Sequence, residues 1–197
     1  EPNNATNQVY YAHFLAITGR LEEAVIHSEL AVRLDPFNEL VLGMHAAVLN
    51  FVDRYEEAVA AARKALSLQP DSPIANSHLE LALFMLGRHD EIMTRRRQRL
   101  AEDPERLAAL ERGHAESGLK DALRRDADVR AARYEKSPTR TGTVSLAQQY
   151  LMAGDKDKAM LWLEKAYENR EGNLLYIGRP VWNPLRPDPR FLDLLRR

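Results

Sequence analysis

Six histidines, His13, His27, His45, His78, His89 and His114, offer the widest chemical range in this 197-residue chain, because imidazole both binds metals and moves protons near neutral pH. Metal ligation needs such donors at fixed spacing, for instance two on one helical face with a carboxylate beside them. None of the six stands in that pattern, and we read them as structural. No glycine-rich phosphate loop or nucleophile elbow occurs, and zero cysteines exclude disulfides and thiol chemistry. The carboxylates are scattered over helix faces, where they serve solubility and pairing with Lys or Arg. The expectation is a chain with no catalytic residues, no cofactor and no metal.

The run Arg95-Arg96-Arg97-Gln98-Arg99 is the other cluster with chemistry to offer, since guanidinium groups hold phosphates. Acids flank it at Asp90, Glu91, Glu102, Asp103 and Glu105, and no aromatic is interleaved for base stacking. The chain sets 28 Lys and Arg against 29 Asp and Glu, a net charge of -1, so it carries no drive toward a polyanion. We read the run as a solvated helix face, with nucleic-acid contact through Arg95 to Arg99 as the weaker alternative.

The elements that position these groups follow a repeat. Prolines stand at Pro2, Pro36, Pro70, Pro104 and Pro138, evenly spaced at a single constant interval. Leu15, Leu49 and Leu83 keep the same interval, as do Gly19, Asp53 and Gly87, while Ala24 recurs as Ala58 and Ala31 as Ala65. Each period reads as two helices. Asn7 to Thr18 carries an apolar stripe of Tyr10, Tyr11, Phe14, Leu15 and Ile17; Gly19-Arg20 breaks it; Leu21 to Leu34 resumes. Asp35-Pro36 then stops the second helix, because proline lacks the amide donor and disfavours helix at the residue before it. Glu39 to Val52 and Tyr55 to Leu68 repeat the pattern, followed by Pro73 to Leu86 and His89 to Glu102. Hydrophobic content of 45% with 29% charge suits a folded chain. No run approaches the ~20 apolar residues that span a bilayer, so no membrane insertion is expected. A cytoplasmic setting is favoured, and a periplasmic one stays open if an upstream anchor exists.

The spaced small residues Ala24, Ala31, Ala46, Ala58, Ala62 and Ala65, with the terminal prolines, resemble the tetratricopeptide repeat, whose period of ~34 residues is the interval seen here. The family's usual aromatic near the start of the first helix is replaced by Gln8, Leu42 and Asn76. The resemblance implies an all-α, right-handed superhelix of about five helix hairpins, at 5–38, 39–72, 73–106, 107–139 and 140–173, closed by a capping segment at 174–197. In the fourth, Gly113 and Gly118 predict a shorter first helix offset by a longer second, Leu119 to Tyr134. Residues 1–4 read as the remnant of an upstream repeat. The first helix then lacks a polar cap, so Tyr10, Tyr11 and Phe14 should be exposed and could support a homodimer.

At the other end, Leu174 to Ile177, Val181, Trp182 and Leu185 read as apolar anchors. Asp188-Pro189 opens a short helix with Phe191, Leu192, Leu194 and Leu195 on its buried side, Asp capping and proline first. Asn183 to Phe191, behind Ala159 to Tyr167, resembles the C-terminal end of repeat arrays in bacterial multidomain signalling proteins, among them winged-helix transcriptional activators, nucleotide cyclases and Ser/Thr kinases.

In such arrays the first helix of each hairpin lines the concave face. The resemblance therefore places Val9, His13, Ile17, Gly43, Ala47, Asn50, Phe51, Ser77, Leu81, Phe84, Met85, Gln148 and Met152 in a groove. That set is apolar with few charges, which suits an amphipathic helix or extended peptide from a protein partner. Val9 and His13 stand where a clamp for a chaperone's terminal carboxylate would begin, which argues against that ligand. Glutamate at Phe51 and Met85 should abolish capture without unfolding the chain. Arg96 and Arg99 occupy positions that are Ala62 and Ala65 one repeat earlier. They should find acidic partners such as Glu111 or Glu116, or loosen a polar joint between repeats three and four.

Overall fold

A computed structural model describes residues 3–139 and 141–197. Glu1 and Pro2, part of the expected remnant at 1–4, and Arg140, the expected start of the fifth repeat, lie outside the described residues. The described residues are all-helical, with no strand among them. The α-helices are α1 (Ala5–Ile17), α2 (Leu21–Leu34), α3 (Glu39–Phe51), α4 (Tyr55–Leu68), α5 (Pro73–Met85), α6 (His89–Arg99), α7 (Pro104–Ser117), α8 (Leu119–Lys136), α9 (Thr143–Met152), α10 (Lys156–Glu168) and α11 (Pro189–Arg196). Two short 3-10 helices, Gly172–Tyr176 and Pro180–Leu185, lie between α10 and α11. The chain forms two compact units, Glu1–Arg88 and His89–Arg197.

Local chemistry sets the starts and stops of the helices. Asn4, Asn38 and Ser72, one period apart, cap α1, α3 and α5 by accepting from the amides of Asn7, Val41 and Ala75. At the hairpin turns Gly19, Gly87 and Gly154 take φ of 82°, 69° and 86°. That left-handed step lets Arg20, Arg88 and Asp155 donate back to the carbonyls of Leu15, Leu83 and Tyr150 at 2.9 Å. Asp53 adopts the same conformation without being glycine, at φ 58°, and its carboxylate accepts from the Tyr55 hydroxyl.

In the first unit α1, α3 and α5 lie side by side, and α2 and α4 pack against the helices on either side of them in sequence. The core is Leu15, Leu49, Leu79 and Leu83 set among alanines, with Ala12, Ala24, Ala31, Ala46, Ala58, Ala62 and Ala65 fully buried. Small residues let the axes approach. A Cβ on Gly43 would meet Ile74 Cγ2 at 3.3 Å, a measure of how closely α5 lies over α3. As the middle helix, α3 has ten buried residues out of thirteen.

In the second unit α7 packs on α8, α8 on α9 and α9 on α10. Gly113 is the closest approach: any Cβ there would stand 2.6 Å from the backbone of Asp121 and Ala122. The expected short first helix of the fourth repeat is not found. With Asp103 as cap and Pro104 as first residue, α7 has 14 residues, and it is α6, with 11, that is short. Of the expected apolar anchors, Ile177, Val181, Trp182 and Leu185 are buried, but Leu174 is only half-buried and Leu175 is exposed to solvent; the second 3-10 helix packs on α9 and the first on α10. Asp188 and Pro189 open α11 as expected, but only Phe191 and Leu194 are buried; Leu192 and Leu195 face solvent. Eight residues make about two turns, enough for one row of contacts and not two.

Candidate functional site

The repeat spacing places side chains of the first unit in rows across α1, α3 and α5. Val9, Gly43 and Ser77 form one row; His13, Ala47 and Leu81 the next; then Ala16, Asn50 and Phe84; and last, at the C-terminal ends, Ile17, Phe51 and Met85. Along α3 the rows are closed. Gly43, Ala47 and Asn50 are buried and Phe51 keeps 7% of its surface, while Val9 and Leu81 are buried in the flanking helices. These six contribute no open lining. His13, Ile17 and Phe84 are half-buried, Ser77 is exposed, and Met85 is 38% exposed. Of the apolar residues in these rows, the accessible ones therefore lie in a strip at the C-terminal ends of the layer, Ile17 on α1 and Phe84 and Met85 on α5, with Phe51 nearly covered between them. In the second unit Met152 is buried and Gln148 is half-buried.

His27, His45 and His78 have structural partners. The ring of His27 meets Gln8 Oε1 at 2.6 Å, that of His45 meets Ser28 Oγ at 2.9 Å, and that of His78 lies 3.4 Å from Asn50 Nδ2. Burial holds the His45 imidazole below its usual range. Asn50 Nδ2 donates to the His78 carbonyl at 3.0 Å, which ties α3 to α5 beneath the strip. Among the described residues no group of three or more His, Asp and Glu is placed to hold a metal ion, and no helix is long and apolar enough to cross a membrane.

Within the arginine run Arg97, Gln98 and Arg99 are exposed, as a solvated helix face requires, Arg95 is half-buried, and Arg96 alone is folded inward. Arg96 is buried and donates through Nη1 to Asp126 Oδ2 at 2.7 Å, while Arg106 Nε reaches Asp126 Oδ1 at 2.6 Å and Gln149 Nε2 reaches Oδ2 at 2.7 Å. Arg96 thus finds an acidic partner in Asp126. Glu111 pairs with Arg97, at 2.6 and 3.0 Å, and Glu116 pairs with Arg125. Asp126 is fully buried, and burial by itself pushes its carboxyl up. The hydrogen bond from Arg106, the charges of Arg96 and Arg106 and the contact with Gln149 outweigh that and hold it below the usual carboxylate range. Nothing in the run's sequence points to Asp126. Its one signal is an acid in α8 beside the buried Leu119, Ala122, Leu123 and Ala127.

The sequence profile of the tetratricopeptide repeat family matches the middle hairpin of the first unit. The match covers residues 41–72. The matched segment spans α3 from Val41 onward and all of α4, and α1 with α2 reproduces the cap and turn of that hairpin one period earlier. Several solved structures are similar to the chain, among them the following two. One is the crystal structure of YrrB, a TPR protein with an unusual peptide-binding site, at 20% identity over 89% of this chain and 91% of that one, with a TM-score of 0.49. The other is Naa15/Naa10 bound to HypK-THB, at 16% identity over 100% of this chain and 32% of that one, with a TM-score of 0.50. No curated protein matches the chain significantly.

Proposed function

We propose that the chain is a non-enzymatic protein-interaction module that binds a helix or extended peptide across the C-terminal ends of α1, α3 and α5. The accessible strip of Ile17, Phe84 and Met85 over a tightly packed tetratricopeptide repeat carries this reading. Its apolar side chains sit on a rigid layer, so little ordering is required when a partner docks, and Met85 adapts to partners of different shape. The test uses a peptide selected from a displayed random library against the wild-type chain. Met85→Glu is expected to weaken that peptide about tenfold or more, about 1.4 kcal/mol, with the circular dichroism spectrum unchanged. Phe51→Glu should act differently from the sequence expectation, because a carboxylate at a position 7% exposed is destabilising in its own right. Unchanged affinity in Met85→Glu overturns the assignment. The resemblance of Asn183 to Phe191 to the ends of bacterial signalling arrays supports a place as the docking part of a larger bacterial regulatory protein.

A second reading is self-association through α1. Tyr10, Tyr11 and Phe14 are 53%, 42% and 57% exposed, and α1 carries no acidic or basic residue in its first or last turn, respectively. Their counterparts one repeat on, Met44, His45 and Val48, are covered where α3 packs on its neighbours. The α1 face thus has the composition of a helix contact surface that stands uncovered. Light scattering should find a dimer that Phe14→Glu converts to monomer; a wild-type chain that is monomeric at roughly 100 μM, well above the micromolar affinities of weak interfaces, removes this reading.

A further inference from the structure

Among the described residues of the second unit, the charges of the buried acids are fully satisfied. Asp126 is held by Arg96 and Arg106. Glu171 is buried at the start of α9, where its carboxylate accepts from the amides of Gly142, Thr143 and Val144 and from the Thr143 hydroxyl. Arg179 differs. It is 8% exposed and lies between the two 3-10 helices. Nε donates to the Tyr176 carbonyl at 3.1 Å, Nη2 donates to Gln148 Oε1 at 3.2 Å, and the guanidinium stacks over the Tyr176 ring at 5.4 Å. All of these partners are neutral. Burial pulls the guanidinium down to about 10, against which only Tyr176 acts, so it remains charged at neutral pH.

The third nitrogen, Nη1, has no hydrogen-bond partner among the described residues and is not one of the buried polar atoms sealed from solvent without a partner. The arrangement is a cation that has lost most of its water, is fixed by two neutral acceptors and keeps one donor edge open. Such a group gains more from an arriving anion than an exposed arginine does, because the surrounding dielectric is low. A single unshared charge with one free edge matches a monoanion rather than a phosphate dianion. We propose that Arg179, positioned by Gln148 and Tyr176, is a binding site for a carboxylate supplied by a protein partner. The site belongs to the second unit and is independent of the strip on α1 and α5.

Two probes separate the sources of that carboxylate: N-acetyl-glutamate methylamide for an internal side chain, and N-acetyl-leucine for a chain terminus. Each is titrated against the ¹⁵N-labelled full chain at constant ionic strength, following the Nε–Hε resonance of Arg179. A saturable shift with either probe, absent with chloride, is the expected result, and the tighter probe names the source. Inorganic phosphate shifting the resonance at lower concentration than both would overturn the choice of a monoanion. Gln148→Glu provides a test that does not depend on a ligand. By placing a carboxylate on Nη2, it should raise the thermal midpoint by roughly 2–4 °C and abolish the response to both probes. A midpoint that is unchanged or lower in Gln148→Glu, or no saturable shift with either probe, contradicts the proposal.

Discussion

Asp126→Ala is expected to destabilise the second unit by about 3–5 kcal/mol, the cost of removing one member of a buried ionic cluster and leaving the others uncompensated. Arg96 and Arg106 both point their guanidinium groups at this one carboxylate, and Gln149 donates to it from α9. The cluster therefore joins α6, α8 and α9 and the start of α7 through a single residue. Urea denaturation followed by tryptophan fluorescence isolates the effect, because the only two tryptophans, Trp162 and Trp182, lie in this unit. Arg96→Ala should cost less, since Arg106 and Gln149 still satisfy Asp126. The double variant should cost less than the sum, as expected for residues sharing one network. The Asp126 carboxyl is held below its unfolded value of about 3.9. Its contribution is complete above that pH and is lost as the pH falls through the folded value. Wild-type stability should therefore drop below about pH 4 by an amount that Asp126→Ala largely removes. A wild type and variant with the same acid profile would show that the cluster contributes nothing net.

Trp182→Ala should be comparably damaging, at about 3–5 kcal/mol for a fully buried aromatic that leaves a cavity. Trp182 is the largest side chain in the C-terminal segment and sits in the 3-10 helix that packs on α9. Its indole Nε1 is sealed from solvent with no hydrogen-bond partner among the described residues. Trp182→Phe therefore sacrifices packing but no hydrogen bond, and should cost less than half as much as the alanine. Chemical denaturation of both variants, read through Trp162, gives the comparison. Equal losses for phenylalanine and alanine would mean that the indole nitrogen does have a partner in solution.

The features legible in the sequence are those written locally. Gly19, Gly87 and Gly154 mark turns because the left-handed conformation favours glycine, and Asp188-Pro189 marks the start of α11 because a cap followed by proline has few other uses. Asp103-Pro104 carries the same signature and starts α7 for the same reason. The regular proline register hides that start, because it assigns Pro104 to the end of a repeat. Two features are not legible because they depend on what lies across the fold. The partner of Arg96 is remote in sequence, on α8, and only the packing of the second unit chooses Asp126 over the nearer Glu111. Likewise the rows on α1, α3 and α5 look equivalent in sequence, yet α3 is flanked on both sides and its side chains are covered. Gly43 and Ala47 hold the clue: residues that small let neighbouring helices close over them and leave little of their own to touch.

The central claim is that the accessible strip at the C-terminal ends of α1 and α5 receives a peptide. Amide chemical-shift mapping of the ¹⁵N-labelled chain against the library-selected peptide tests it most directly. The largest perturbations should fall on Ile17, Phe84 and Met85 and vanish in Met85→Glu at the same peptide concentration. Perturbations confined to α2 and α4, or unchanged by Met85→Glu, would contradict it.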